Sequence, residues 1–192
     1  MTYARRAVAA VATCAVLGLS ACSSDAPDDE PSTDPSWQSF TVGPVTLSAP
    51  SEWERSAGSD LYPSSDTDTT VALTAPENDE GVRAGVLVTV QSAPTRDATE
   101  EAAALMIGEK ATTGADDVET GEGELSGASS VATVSFVSDV RRSDGTTASL
   151  RSRWIVADLD SGEQVIVRAV GPRDEFEDTP LDEILQTVTL PT

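Results

Sequence analysis

The sequence has no histidine, a single lysine (Lys110), two cysteines and only 4% aromatic residues. Without imidazole there is no His-centred catalytic triad, no His-ligated zinc and no histidine pH switch. Positive charge is also scarce. Twelve Lys and Arg residues face 33 Asp and Glu residues, for a formal charge of −21. So acidic a chain repels phosphate backbones, which argues against a nucleic-acid partner. There is no glycine-rich phosphate loop, nucleophile elbow or internal repeat, and no cofactor is expected. With 192 residues and 39% hydrophobic content, the chain suits one ordinary domain with a modest core.

The clearest signal lies at the N-terminus. Arg5 and Arg6 precede a weakly apolar run from Ala7 to Ser20. The run is shorter than the roughly 20 residues that span a bilayer, but it suits the apolar region of a signal peptide. It ends in Leu19-Ser20-Ala21-Cys22. This resembles the bacterial lipobox, in which the cysteine receives a diacylglyceryl thioether and becomes the first mature residue. Residues 1–21 therefore read as a lipoprotein signal peptide and Cys22 as the lipidation site. Several acyl chains on one residue, at about 0.8 kcal/mol per buried CH₂, make a stable anchor. The expected place is the extracytoplasmic face of the cell membrane.

This reading accounts for both cysteines. Cys14 leaves with the leader and Cys22 is blocked by lipid, so no disulfide or thiol chemistry is expected. The leader holds two of the twelve basic residues and no acid, so the mature chain would carry −23. Residues 22–36 then comprise the lipidated cysteine and Ser-Ser-Asp-Ala-Pro-Asp-Asp-Glu-Pro-Ser-Thr-Asp-Pro-Ser. That composition is expected to form a disordered acidic tether.

Residues 37–192 read as one α+β domain. Phe40 to Val42 and Val45 to Ser48 flank Gly43-Pro44, and further β-rich runs cover Thr70 to Thr74 and Ala84 to Gln91. Asp97 to about Ala111 predicts a helix, with Asp97 as N-cap, Glu100 three residues on and Gly114 as its stop. Three more strands follow, Ser130 to Val140, Thr147 to Ala157 and Gln164 to Val170, joined by Asp144-Gly145 and by Asp160-Ser161-Gly162. A last helix is predicted with Thr179 as cap, Pro180 at its first position, and Leu181, Ile184, Leu185 and Val188 on its apolar face. Strands, helix, meander and helix imply a mostly antiparallel sheet flanked by helices. A two-residue turn at Asp144-Gly145 would set Phe136 opposite Arg153, Val134 opposite Ile155 and Ser135 opposite Trp154. Large apolar residues would then lie on both sheet faces.

Thr46-Leu47-Ser48-Ala49-Pro50-Ser51-Glu52-Trp53 resembles the early strand and Pro-x-x-Trp corner of PsbP-like α/β/α sandwich proteins. Ile184-Leu185-Gln186-Thr187-Val188 resembles their terminal helix. Bacterial lipoproteins of the LpqN type join such a domain to a lipobox and an acidic tether. The resemblance implies a non-enzymatic binding or assembly role at the cell envelope and assigns no catalytic residue. Residues 55–69 match no part of it.

Candidate chemistry within the domain is sparse. Asp158-Leu159-Asp160-Ser161-Gly162 resembles the start of a calcium loop but lacks the later ligands, and it sits where a hairpin turn is needed, so no metal site is expected. Asp66 with Asp68, Glu77 to Glu80, and Asp116 with Asp117 read as solvated surface. Among 33 acids, some carboxylate pair will meet the spacing of a glycoside hydrolase by chance. Lys110 sits where a helix C-terminus favours a cation. The one uneven feature is basic: Arg141, Arg142, Arg151 and Arg153 are closely spaced in a strongly acidic chain. In the register above Arg142, Arg151 and Arg153 share a face with Phe136. Ion pairing and stacking on Phe136 would account for them. The sharper alternative is an anion site for a lipid phosphate, a glycan carboxylate or an acidic partner segment.

The expected function is thus a lipid-anchored, extracytoplasmic, non-catalytic binding or assembly module, held to the membrane through Cys22 and acting as a monomer on an envelope protein, lipid or glycan. A carrier or sensor of an amphiphilic envelope ligand is the alternative, and a carboxylate-dependent hydrolase a third.

Overall fold

The computed structural model describes residues 36–57, 69–79, 81–142 and 144–191. The leader, Cys22, all of the tether except Ser36, and the Asp66–Asp68 cluster lie outside these residues.

Alternation of Val45, Leu47 and Ala49 with Thr46 and Ser48 makes one face of the second strand fully apolar. That strand, β2 (Val45–Pro50), pairs with β1 (Trp37–Val42) in a separate two-stranded hairpin. Val42 faces Val45 across Gly43-Pro44, and Gly43 takes φ 54°. Positive φ at the first turn residue followed by proline is the type II′ solution, which glycine allows and the proline ring reinforces at the second position.

The main sheet holds seven strands: β3 (Glu54–Ala57), β4 (Thr69–Thr74), β5 (Gly85–Gln91), β6 (Asp116–Glu122), β7 (Ala128–Arg141), β8 (Thr147–Leu159) and β9 (Gln164–Pro172). Their spatial order is β3-β4-β5-β9-β8-β7-β6, and every pairing is antiparallel. Between β5 and β6 runs α1 (Ala98–Thr113), and α2 (Leu181–Gln186) follows β9 after a 3₁₀ turn at Phe176–Asp178.

The helices take opposite faces. Ala98, Ala102 and Met106 of α1 pack on Ala132, Val134, Phe136, Trp154, Val156 and Ile166. The other face carries Leu73, Val86, Val88, Val165, Val167 and Ala169 under the β1–β2 hairpin, Phe176, Leu181, Ile184 and Val188. A Thr46–Thr189 bridge ties the chain end to the hairpin. The fold is therefore a mostly antiparallel sheet with a helix on each side, the α+β class expected from the element order.

Three expectations need correction. First, Arg141 pairs with Thr147, so the β7–β8 connection is longer than two residues. Gly145 at φ 86° donates to the Arg142 carbonyl, and Arg142 N–H donates to the Thr146 carbonyl. This is the longer hairpin turn that ends in a left-handed glycine. The register moves by one residue, so Val134 faces Trp154 and Ser135 faces Arg153. A one-residue slip exchanges faces. Phe136 consequently meets Trp154 edge-to-face at 4.9 Å, and Arg151 and Arg153 lie on the opposite face from it. Second, Thr179 does not cap α2; its hydroxyl donates to the Phe176 carbonyl at 2.6 Å and closes the 3₁₀ turn instead. Third, a strand that the sequence reading did not include runs over Asp116–Glu122; Asp116 and Asp117 are exposed on it, as expected of solvated surface.

The candidate functional site, a groove beside an edge strand

The two faces of β7 and β8 differ. Under α1, Ala132, Val134, Phe136, Ser152, Trp154 and Val156 are buried. On the other face Thr133, Ser135, Arg151, Arg153 and Ile155 are only half-buried. The β1–β2 hairpin and α2 cover the middle of that face and stop short of its β6 side. The result is an open, mainly apolar groove of about 390 Å³, with Thr133, Ser135 and Ile155 in its floor, Leu185 of α2 as one wall, and Glu119 and Gly121 of β6 as the other. A second, more polar hollow of about 360 Å³ shares Glu119 and Ser135 with it and runs on toward Asp117, Val137 and Arg151.

Glycine shapes the β6 wall. A Cβ on Gly121 would come within 3.1 Å of the Thr133 hydroxyl, and one on Gly123 would lie at 3.1 Å from Val131 and 3.3 Å from Thr133. The chain thus runs close over its neighbour and leaves the space above open.

At the α2 end of the groove the guanidinium groups gather. Arg153 hydrogen-bonds Asp182 of α2 and, at 2.9 Å, Glu177. Arg151 reaches the same Glu177 oxygen at 3.7 Å. The Arg153 guanidinium also lies 5.1 Å from the Phe176 ring centre, a cation–π contact. Burial works against the Arg153 charge, but the hydrogen bond and charge of Asp182, joined by Glu177, outweigh it and hold its pKa above the ordinary value. Arg173 pairs with Asp117 at 3.4 Å.

The three candidate arginines therefore do not form one cluster. Arg151 and Arg153 converge on a shared carboxylate, whereas Arg142 donates to the Gly81 carbonyl at 3.2 Å. Stacking occurs on Phe176, not on Phe136. Two arginines against Glu177 and Asp182 leave no net positive charge, so the geometry favours internal pairing over an anion site.

The remaining candidates have structural places. Asp158 accepts from Ala98 N–H and from the Gln164 amide, both at 2.8 Å, so its carboxylate anchors α1. Glu77 pairs with Arg83 at 3.3 Å. Lys110 is exposed in the last turn of α1. Among the described residues no three Cys, Asp or Glu side chains are grouped to hold a metal. Sequence reasoning missed β6 and with it the groove. Val118 is the only large apolar residue in Asp116–Glu122, and the acids and glycine there have poor strand propensity.

Comparison with protein-family models gives no match, and comparison with curated proteins gives none either.

Proposed function

We propose that this protein is a lipid-anchored extracytoplasmic binding module of the cell envelope, non-catalytic and monomeric, which presents the groove beside β6 to its partner. The observation that carries the anchoring is Leu19-Ser20-Ala21-Cys22 at the end of an apolar run too short to span a bilayer. Among the described residues no helix is long and apolar enough to cross a membrane. Membrane attachment then falls to the lipid on Cys22. The binding role is supported by the groove, whose size lies within the range of small-ligand sites. A PsbP-like relationship of the LpqN kind is part of this reading. It is supported by helices on both faces of the sheet and by the buried Trp53 after the Pro50 turn.

The test is metabolic labelling with an alkynyl fatty acid in the producing bacterium. The wild type is expected to incorporate label and to fractionate with membranes. Cys22→Ser is expected to lose both. A labelled, membrane-bound Cys22→Ser protein would overturn the reading.

One observation favours a second reading, a carrier of an amphiphilic ligand: the groove lies between the sheet and α2, and the surface it exposes is mainly apolar. Mass spectrometry of the protein extracted without detergent would then find a stoichiometric lipid.

A further inference from the structure

We infer that the groove carries a single-chain amphiphile with an ammonium head, its chain lying along β6 and β7 and its head at Glu119. The inference rests on the reading of the groove as a binding surface and names the chemistry of its occupant.

Polarity changes along the strands. Glu119 stands beside Ser135, and Ser135 beside Arg153. Two residues on, Gly121 stands beside Thr133, and Thr133 beside Ile155. Past the end of the groove Gly123 lies against Val131, which packs half-buried on the same core as Ile155 and Leu185. One end of this track is therefore polar and the other apolar. Four rises of about 3.3 Å from Glu119 to Gly123 make about 13 Å, the span of an extended alkyl chain. The two glycines keep the track open, because a side chain on either would stand on this face.

Charge names the head. Arg153 is answered by Asp182 and Glu177, and Arg151 by Glu177. Two acids line the hollows. Asp117 sits in the bulge between Asp116 and Glu119 at φ 48°, and its carboxylate turns to Arg173. Glu119 lines both hollows and, among the described residues, has no ion pair. Internal pairing thus leaves one unbalanced carboxylate at the polar end of an apolar track. A phosphate or carboxylate head would be repelled there. An ammonium head would form charge-assisted hydrogen bonds with Glu119, beside the Ser135 hydroxyl. The formal charge of −21 steers the same cations toward the protein. The apolar tail is what Ile155 and Leu185 select; a bare metal ion or a polyamine gains nothing from them.

The experiment uses the full protein purified from the producing cells in phosphatidylcholine nanodiscs, with empty nanodiscs to measure partition of the probe. The probe is a dodecyl amine with a photoreactive diazirine at the far end of its chain. Matched chains with a carboxylate head and with a glucosyl head are the controls. After irradiation, labelled residues are mapped by peptide mass spectrometry. The amine is expected to label Gly123, Val131 or their neighbours saturably and the carboxylate about tenfold less, a preference that shrinks as salt rises. Glu119→Gln should lower amine labelling about threefold, the scale of an exposed ion pair, and bring it level with the glucosyl chain. Gly121→Val, with its fold checked by circular dichroism, should block the track to all three. Glu119 is exposed, so its variant keeps the fold even where Gly121→Val does not. Equal labelling by amine and carboxylate, or no change in Glu119→Gln, overturns the ammonium head while the groove stands. Labels that map to Asp117 and Arg151 instead, or that survive in folded Gly121→Val, overturn the placement of the chain. If no chain labels the groove, the inference and the reading beneath it both fall.

Discussion

Asp158 and Gln164 face one another across the β8–β9 ladder, and the Gln164 amide donates to Asp158 at 2.8 Å. The second Asp158 oxygen accepts Ala98 N–H at 2.8 Å, and Gln164 also donates to the Arg96 carbonyl at 3.1 Å. A pair at one hairpin end thus fixes where α1 starts and how it meets the sheet. The N-cap Asp97 adds a local bond to Glu100 N–H.

The two aspartates should differ in weight. Asp97→Ala removes one exposed cap and should cost about 1 kcal/mol. Asp158→Ala leaves Ala98 N–H and one Gln164 N–H without partners at sites where Ala98 and Gln164 are fully buried. Each such loss costs about 1–3 kcal/mol, so Asp158→Ala should be the more damaging by at least about 1 kcal/mol. Urea unfolding of both variants checks the order, and equal costs would show that water replaces the Asp158 contacts.

Gly127 and Gly145 form a controlled pair, since both take φ 86°. Nothing lies within 4 Å of a Cβ on Gly145, so Gly145→Ala should cost only the left-handed backbone, about 1–2 kcal/mol. A Cβ on Gly127 would sit 2.4 Å from the Pro191 carbonyl oxygen. To escape, the chain end must shift, and the buried Leu190 shifts with it. Gly127→Ala should therefore lose about 1–3 kcal/mol beyond Gly145→Ala, read as the difference between their thermal midpoints. Coincident midpoints would mean that the tail yields without cost.

Much of this architecture is legible in the sequence because its signals are local. The α1 start follows from Asp97 with Glu100, and its stop from Gly114, which takes φ 67°. The Gly43-Pro44 turn and the three long strands follow from glycine and β-branched runs. What was not legible depends on a choice between close local alternatives or on distant partners. Whether Asp144-Gly145 makes a two-residue turn or a longer one is decided by one left-handed residue, and the face of Arg151 and Arg153 turns on it. Thr179 could accept an N–H of the turn that follows it, as a cap does, but its hydroxyl donates to the Phe176 carbonyl before it. The acidic strand β6 forms because β7 offers it a ladder, with no apolar pattern of its own. The candidate site was visible only as the arginines at one end. Its floor and glycine wall come from strands far apart in the chain.

The Arg153–Asp182 contact joins β8 to α2, and its environment limits its strength. The side chains remain 31% and 33% exposed, so the coupling should fall near the about 0–1 kcal/mol typical of such pairs. A double-mutant cycle with Arg153→Ala and Asp182→Ala measures it directly. Arg153→Ala alone should cost more than Asp182→Ala, because it also removes the 2.9 Å contact with Glu177 and the cation–π contact with Phe176, the latter worth about 0.5–1 kcal/mol at exposed sites. Equal single-mutant costs would remove both contacts from the account.

The β7–β8 turn should carry a measurable pH signature. The exposed Asp144 carboxylate accepts from the Thr146 hydroxyl at 2.6 Å and from Thr146 N–H at 2.9 Å. The Thr146 hydroxyl is the largest influence, followed by its N–H, with Arg142 adding charge, and together they hold the Asp144 pKa below the ordinary 3.8. A depressed carboxyl pKa stabilises the fold above the unfolded value, and that contribution disappears as pH falls through the folded one. The stability difference between wild type and Asp144→Ala should thus be constant above about pH 5 and shrink as the carboxylate protonates below 3.8. Carbon-detected NMR titration of Asp144 should give a midpoint under 3.8, and Thr146→Val should raise it by removing the hydroxyl while keeping the N–H. The same substitution leaves Gly145 and its left-handed turn in place, so the strand register should persist and Val134 should still face Trp154 by nuclear Overhauser contacts. An unshifted Asp144 midpoint in Thr146→Val would show that the backbone bond alone holds the carboxylate.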